Sequence, residues 1–310
     1  MILPLILRIT MPIPTPQETT LDHKKRFLIP WDACDSHVHV IGSQDRYPML
    51  SSRAYTPPEA QVADLQAHLS TLHMSRVVLI QPSFYGSDNR CLVAALQQLG
   101  NIARGVVVID EKTSDKELSM LTINGVRGVR MNLESIGVRS PQAAHRELNS
   151  LATRIAPYGW HIQIYASSHV IAASINQIST LPVHVVLDHF AMIQPKKGLN
   201  QPDFLSILEL VQTGKVYVKL SAPYRISQAV PDYSDVLPFA SAFIEAHPDR
   251  MLWASDWPHT RRTCGNSTTE PSPFRVVDDQ YILRLLQEWV PSKEIRKKIL
   301  VDNPACLYGF

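Results

Sequence analysis

Long apolar runs are missing from this chain of 310 residues. The one membrane-like stretch is its start, MILPLILRITMPIPTP. Its apolar part is far shorter than the ~20 residues a spanning helix requires, and Pro4 and Pro12 break it. A membrane span is therefore excluded. A secretory signal is not expected either, because Arg8 follows the apolar run instead of preceding it and no small-residue cleavage site comes after. Residues 1–30 read as an irregular surface arm, with Met11 as an alternative natural start. Cysteine is scarce: Cys34, Cys91, Cys264 and Cys306 are far apart and form no CxxC pair, which argues against structural zinc and a disulfide scaffold. They read as reduced thiols of a cytoplasmic protein. An excess of one charge is also lacking, since 30 Lys and Arg stand against 28 Asp and Glu with no run of five or six like charges. Nucleic acid is thus not indicated as a partner, and the oligomeric state stays open.

What the chain does contain is repetition. From Trp31 onward, short apolar runs alternate with longer amphipathic stretches, the pattern of βα units with buried parallel strands. Strands are predicted over Ala33–Val40, Arg76–Ser83, Ala103–Asp110, Gly125–Leu133, Trp160–Ala166, Val183–Phe190, Val216–Ala222 and Met251–His259. Helical spacing recurs between them, for example over Pro58–His73, Asn89–Leu99, Pro141–Ala156, Val170–Ile178 and Asp279–Val290. The repeat from His37 to Asp256 averages about 31 residues, close to the ~30 of one βα unit. No glycine-rich turn follows the first strand, as a doubly wound sheet would need, and no low-complexity linker divides the chain. A single (β/α)8 TIM barrel over residues 31–310 is the fold these features favour. Catalytic groups are then expected at the C-terminal ends of the strands. Residues 260–272, rich in Arg, Gly, Ser and Thr, form either a cover over the barrel mouth or a mobile surface loop.

The strand ends carry chemistry. The first closes on Asp35-Ser36-His37-Val38-His39, where residues two apart share a face, so both imidazoles can enter the mouth. The sixth closes on Leu187-Asp188-His189-Phe190 and the eighth on Ser255-Asp256-Trp257-Pro258-His259. Hydrolytic chemistry needs a base to activate water and donors for an oxygen that gains negative charge. Asp256 is the candidate base. His37, His39 and His189 are candidate donors or metal ligands.

A His-x-His on strand one, a His closing strand six and the Asp of SDWPH on strand eight resemble the amidohydrolase superfamily. The details resemble its lactonase branch, typified by 2-pyrone-4,6-dicarboxylate lactonase. The resemblance spans nearly all of Trp31–Phe310 and includes QPSFYG (81–86), GVRGVRMNL (125–133), LDHFA (187–191) and the terminal DNPACLYGF. It implies hydrolysis of a small, carboxylate-bearing lactone. Two further activities stay within the resemblance: a sugar-acid lactonase or galactarolactone-type isomerase, and a metal-dependent decarboxylase. A barrel that has lost its chemistry is a further reading, against which the intact set of four groups argues.

In the metal-dependent members, the His-x-His and the strand-eight Asp are joined by a ligand ending strand five, and two-metal members add a Lys or Glu from strand four. Here strand five offers Gln163 and Tyr165, with His161 deep at its start, and strand four offers Arg130 and Asn132. No cofactor is favoured on this reading. A weakly held Zn2+ or Mn2+ on His37, His39 and Asp256 is the alternative. Substrate carboxylates are expected to meet Ser83, Arg127, Arg130, Tyr165 and Arg225. Arg127 and Arg130 are three apart, so a bend at Gly128 is needed if both are to reach the site. His259 and Trp257 are expected either to line the pocket or to pack the rim.

Overall fold

The apolar runs become eight parallel strands. A computed structural model describes residues 28–133, 141–265 and 267–310. The strands are β1 (Cys34–Val38), β2 (Arg76–Ile80), β3 (Ala103–Val107), β4 (Val126–Asn132), β5 (His161–Tyr165), β6 (Val185–Leu187), β7 (Val216–Ser221) and β8 (Met251–Ala254). Each pairs in parallel with the next, in sequence order. The helices are α1 (Val62–Leu72), α2 (Arg90–Leu99), α3 (Asp115–Ile123), α4 (Pro141–Ile155), α5 (Ser168–Ala173), α6 (Ile175–Thr180), α7 (Pro202–Gln212), α8 (Leu237–Ala246), α9 (Asp279–Trp289), α10 (Lys293–Lys297) and α11 (Asn303–Tyr308). They pack an apolar stripe on the strands, as α1 does with buried Val62, Leu65, Leu69 and Leu72 at three- and four-residue spacing. This is the (β/α)8 architecture.

The seam between β8 and β1 is closed by the residues that flank the chemistry. His39 N–H donates to the Trp257 carbonyl at 2.9 Å and Asp256 N–H to the His37 carbonyl at 3.0 Å. The buried Asp35 carboxylate accepts the N–H groups of Ser255 at 3.0 Å and His37 at 3.2 Å, tying the two strand ends together. Barrel closure and the placement of His37, His39 and Asp256 are thus one event.

Inside, side chains stack in layers. Cys34, Val78, Ile80, Val106, Val186, Tyr217 and Leu252 pack with Tyr308, which the C-terminal helix α11 delivers to the barrel. Gly128 leaves space for the buried His161 ring, since a Cβ at that position would stand 2.5 Å from it. That close approach demands glycine.

Three predicted elements differ. β8 stops at Ala254 instead of His259, because Asp256 (φ 70°) and His259 (φ 64°) take left-handed backbone that no strand tolerates. β6 stops at Leu187, and His189 to Met192 form a left-handed turn with φ between 49° and 54°. The single helix expected over Val170–Ile178 is two, α5 and α6, divided at Ser174, where ψ is 5° and the hydroxyl donates to the Val170 carbonyl at 2.8 Å. The segment after β8 packs on the loop between β1 and α1. Tyr55 Oη donates to Thr260 Oγ1 at 3.0 Å and Thr56 Oγ1 to the Thr268 carbonyl at 2.7 Å. Of the expected arm, residues 1–27 lie outside the described residues. Among the described residues no helix is long and apolar enough to cross a membrane.

Candidate active site

At the C-terminal ends of β1, β6 and β8 the predicted groups converge. The His37 ring lies 5.0 Å from that of His39 and 4.9 Å from that of His189. All three present Nε2 to one oxygen, Oδ1 of Asp256, at 3.6, 3.8 and 3.9 Å respectively. These distances exceed hydrogen bonds, and Oδ1 is buried without a hydrogen-bond partner. Oδ2 is the opposite: it accepts from Tyr224 Oη at 2.7 Å and from Arg225 Nε and Nη2 at 2.8 and 2.6 Å. One carboxylate therefore has a clamped oxygen and a bare one.

Burial opposes the charge of Asp256, yet Arg225 and the three imidazoles hold its carboxyl well below the ordinary carboxylate range. Burial also lowers the imidazoles, His39 and His189 to about 4 and His37 well below its ordinary value. Arg130 adds to the shift of His39, Lys219 to that of His37 and Arg225 to that of His189. All three are neutral at pH 7. His39 Nδ1 lies 2.8 Å from the Ile80 carbonyl, which only accepts, so neutral His39 carries its proton there and turns the Nε2 lone pair inward. His189 Nδ1 meets Ser221 Oγ at 2.9 Å. His37 Nδ1 stands 3.3 Å both from Lys219 Nζ and from Asp188 Oδ1.

A single divalent cation fits this donor set. The candidate ligand atoms of His37, His39 and Asp256 lie within 4.8 Å of one another. Oδ1 of Asp256 and Nε2 of His37 are unpartnered, and a carbonyl-held His39 is the usual form of a metal-ligating imidazole. A second set, His37, Asp188 and His189, has ligand atoms just as close together, but the Lys219 amine stands 3.6 Å from Asp188 there and its charge opposes a cation. β4 presents the Arg130 guanidinium, and Gln163 of β5 is committed to Asp188 at 3.1 Å and Lys219 at 2.7 Å. His161 lies below, against Tyr308 with 5.3 Å between rings, away from the cluster.

The predicted anion-binding residues divide. Tyr165 ends β5 with its ring edge-on to His189 at 5.2 Å, and the guanidinium carbons of Arg130 and Arg225 each lie 5.8 Å from its ring centre. Arg130 donates to the Gln81 carbonyl at 2.9 Å, and its Nε is buried without a partner. Arg225, a candidate clamp for a substrate carboxylate, engages the carboxylate of Asp256 in this structure. Ser83, half-buried, opens a 3-10 turn after β2 whose Phe84 and Tyr85 are buried. Arg127 is not brought to the cluster. It occupies the N-terminal part of β4, where the β3 register slips, and donates to the Thr122 and Val126 carbonyls at 3.0 and 2.7 Å. No bend at Gly128 redirects it, since β4 runs unbroken to Asn132.

Sequence reasoning missed Tyr224, Asp279 and Lys219, and left His259 between the pocket and the rim. Tyr224 lies in a 3-10 turn after a left-handed Ala222 (φ 49°), where strand alternation no longer says which way a side chain points. Its neighbour Arg225 in KLSAPYR was the only available signal. Trp257 packs the rim, stacked on His68 at 5.6 Å.

Two histidines at the end of β1, one after β6 and an aspartate after β8 converge at the mouth of a hydrolase-type barrel. The chain belongs to the amidohydrolase family, whose model matches residues 34–310. It is 35% identical over 295 residues to a 2-pyrone-4,6-dicarboxylate hydrolase of Comamonas testosteroni, covering 92% of each chain. It is 30% identical over 289 residues to a 4-sulfomuconolactone hydrolase of Hydrogenophaga intermedia, covering 92% of this chain and 91% of that one. A D-galactarolactone isomerase of Agrobacterium fabrum is 26% identical over 282 residues, with 90% and 91% covered. Among solved structures, a probable 2-pyrone-4,6-dicarboxylic acid hydrolase of Acinetobacter baumannii with citric acid bound superposes with a TM-score of 0.77 at 27% identity, over 90% of this chain and all of that one.

Proposed function

We propose that the protein opens the ester ring of a small lactone bearing at least one carboxylate, of the 2-pyrone-4,6-dicarboxylate kind. The observation that carries this reading is the divided carboxylate of Asp256, clamped at Oδ2 and bare at Oδ1 in front of three imidazoles. Oδ1 takes a proton from water, and the water oxygen bonds to the ring carbonyl carbon. The ring C–O bond then breaks, and the leaving oxygen takes the proton from Asp256. His189 donates through Nε2 to the developing oxyanion when the Ser221 hydroxyl donates to its Nδ1, and His37 does so when Lys219 donates to its Nδ1. His39, with its proton held by Ile80, instead accepts from the attacking water.

A strongly ionised carboxylate is a weak base. The substrate corrects this. Its carboxylate draws on the Arg225 donors and loosens their hold on Oδ2, so that the proton affinity of Asp256 rises when the site is filled. Arg130 with its free Nε, Tyr165 and Ser83 complete the acid-binding ring. A cavity of ≈ 220 Å³ that includes Arg225 and Lys196 in its wall gives a second anionic arm room. The cluster is nearly sealed, with Asp256 1% and His39 4% exposed, which strengthens each of these interactions.

We assign catalysis to the chain's own groups. An ion on His37, His39 and Asp256 would polarise the carbonyl or lower the pKa of water. The four free cysteines suit a reducing compartment, and we place the protein in the cytoplasm. A pH-indicator screen of metal-analysed protein against aromatic-derived dicarboxylate lactones and sugar-acid lactones tests the reading. Acid release that resists a chelator is expected. Interconversion of lactones without acid release would make it an isomerase, and activity returning only with Zn2+ or Mn2+ would make it a metalloenzyme, including the decarboxylase.

A further inference from the structure

Arg225 serves two places at once. Its Nε and Nη2 are spent on Oδ2 of Asp256, and the same side chain lines a cavity of ≈ 220 Å³ together with Gln194, Lys196 and Gln228. The wall of that cavity holds two cations and no carboxylate. Asp235, which accepts the Gln228 N–H at 2.9 Å and the Ser227 hydroxyl, is committed to its own loop and is not part of the wall.

Two loops build this wall, and both are fixed. The first follows β6. Four left-handed residues, His189 to Met192, turn the chain so that His189 faces Asp256 while Gln194 and Lys196 reach the cavity. Lys196 sits in a 3-10 turn over Pro195–Lys197, which the buried Gln201 side chain braces. Gln201 Nε2 donates to the Gln194 and Gly198 carbonyls at 3.0 and 2.8 Å, and its Oε1 accepts the Gln194 N–H at 3.3 Å. The second loop follows β7, where Arg225 N–H donates to the Ala222 carbonyl at 2.9 Å and Ile226 N–H to the Pro223 carbonyl at 3.1 Å. A braced backbone lowers the ordering cost of binding a ligand.

The Lys196 ammonium is unspent. Its side chain is exposed, and among the described residues no ion pair or hydrogen bond engages it. Lys197, next in the chain, is not part of the wall. An ammonium offers its donors on a flexible stem and imposes no plane, unlike a guanidinium, whose fork matches a planar carboxylate. A tetrahedral sulfonate therefore satisfies it as well as a carboxylate does.

We propose that Lys196 is a specificity-determining residue: with Nη1 of Arg225 it receives a second anionic group of the substrate, carboxylate or sulfonate, so that the preferred lactones are dianions with their charges on separate ring positions. This deepens the lactonase reading and rests on it for the ring that is opened, whereas the pairing of Lys196 with an anion does not.

The experiment is isothermal titration calorimetry with ring probes that carry no ester: isophthalate and 3-sulfobenzoate, each with two anionic groups, and benzoate with one. Both dianions are expected to bind the wild-type protein about 10-fold tighter than benzoate. Lys196→Met should weaken both by about 10-fold, the lower end for a hydrogen bond to a charged group, and leave benzoate within about twofold. Lys196→Glu, which sets a like charge in the wall, should weaken the dianions further. Lys197→Met should leave all three within about twofold. In acid-release kinetics Lys196→Met should raise KM for 2-pyrone-4,6-dicarboxylate about 10-fold with kcat within about twofold, because the contact is the same in ground and transition states. Isophthalate binding no tighter than benzoate in the wild-type protein overturns the proposal, as does undiminished isophthalate affinity in Lys196→Met or an equal loss for benzoate. Tight binding of isophthalate but not of 3-sulfobenzoate overturns the acceptance of a sulfonate. Dianion binding that depends on Lys196, in protein that hydrolyses no lactone, would overturn the functional reading and leave the anion site standing.

Discussion

Two layers of ionisable groups are stacked inside one barrel, and His37 belongs to both. In the lower layer Lys219 contacts Gln163 at 2.7 Å and lies 3.6 Å from Asp188, while Nδ1 of His37 stands 3.3 Å from each of the pair. In the upper layer Nε2 of the same ring faces Asp256 Oδ1 at 3.6 Å. Burial opposes the charge of both aspartates, and in both cases neighbouring cations and imidazoles win, holding the carboxyl low. The difference lies in what each carboxylate still has to offer. Oδ1 of Asp188 also lacks a hydrogen bond, but the Lys219 amine stands 3.6 Å and Nδ1 of His37 3.3 Å from it, whereas Oδ1 of Asp256 faces three imidazoles. Burial, a shifted pKa and an oxygen without a hydrogen bond are therefore common to both carboxylates; the amine beside that oxygen of Asp188 distinguishes them.

The largest effect should come from emptying the upper layer. Asp256→Asn is expected to lower kcat by about 10³-fold, within the range of general-base catalysis, with the folded state retained, as acid-release kinetics beside circular dichroism would record. Breaking the lower layer should act on stability instead. Lys219→Met strands Asp188 as a buried unpaired charge and is expected to lose about 3–5 kcal/mol in urea unfolding.

Acid should reach both layers through the histidines. His39 and His189, lowered to about 4, and His161, lowered to about 3, stay neutral in the folded protein while the unfolded chain takes up protons near pH 6.5. The unfolded state thus binds more protons between these values. Each histidine therefore contributes stability above pH 6.5 that is lost as pH falls toward its folded value, on the order of 1 kcal/mol per pH unit, measurable as denaturation midpoints across that range.

The smallest contrast lies on one strand. Arg130→Met should lower kcat/KM by about 10- to 100-fold, the equivalent of a lost hydrogen bond to a charged group. Arg127→Met should leave kcat/KM within about twofold. Equal losses from the two would show that β4 is misread.

Much of this was legible in the chain before any coordinates. Eight apolar runs at a regular interval specify the barrel, and His37, His39, His189 and Asp256 lie where regular strands end, so their convergence follows from topology. What escaped lies past the strand ends. Four consecutive left-handed residues after β6, a left-handed Ala222 and the turn carrying Asp256 and His259 remove the two-residue alternation on which face assignments rest. Hence the engagement of Arg225 with Asp256, and the line of contacts from Tyr224 through His259 to Asp279, emerge only from three-dimensional proximity across β7, β8 and α9. Arg127 and Arg130 teach the converse: β4 runs without a break from Val126 to Asn132, with one slip of register against β3 at Arg127, and only Arg130 is brought to the cluster.

The central claim is that a water activated by Asp256 attacks the ring carbonyl with the chain's own groups in support. Turnover of 2-pyrone-4,6-dicarboxylate in 18O-labelled water, with chelator present, tests it most directly. The account predicts one 18O atom in the carboxylate formed from the ring carbonyl, at a rate unchanged by the chelator. Unlabelled, rearranged lactone, or turnover that stops with chelator and returns with Zn2+ or Mn2+, would contradict it.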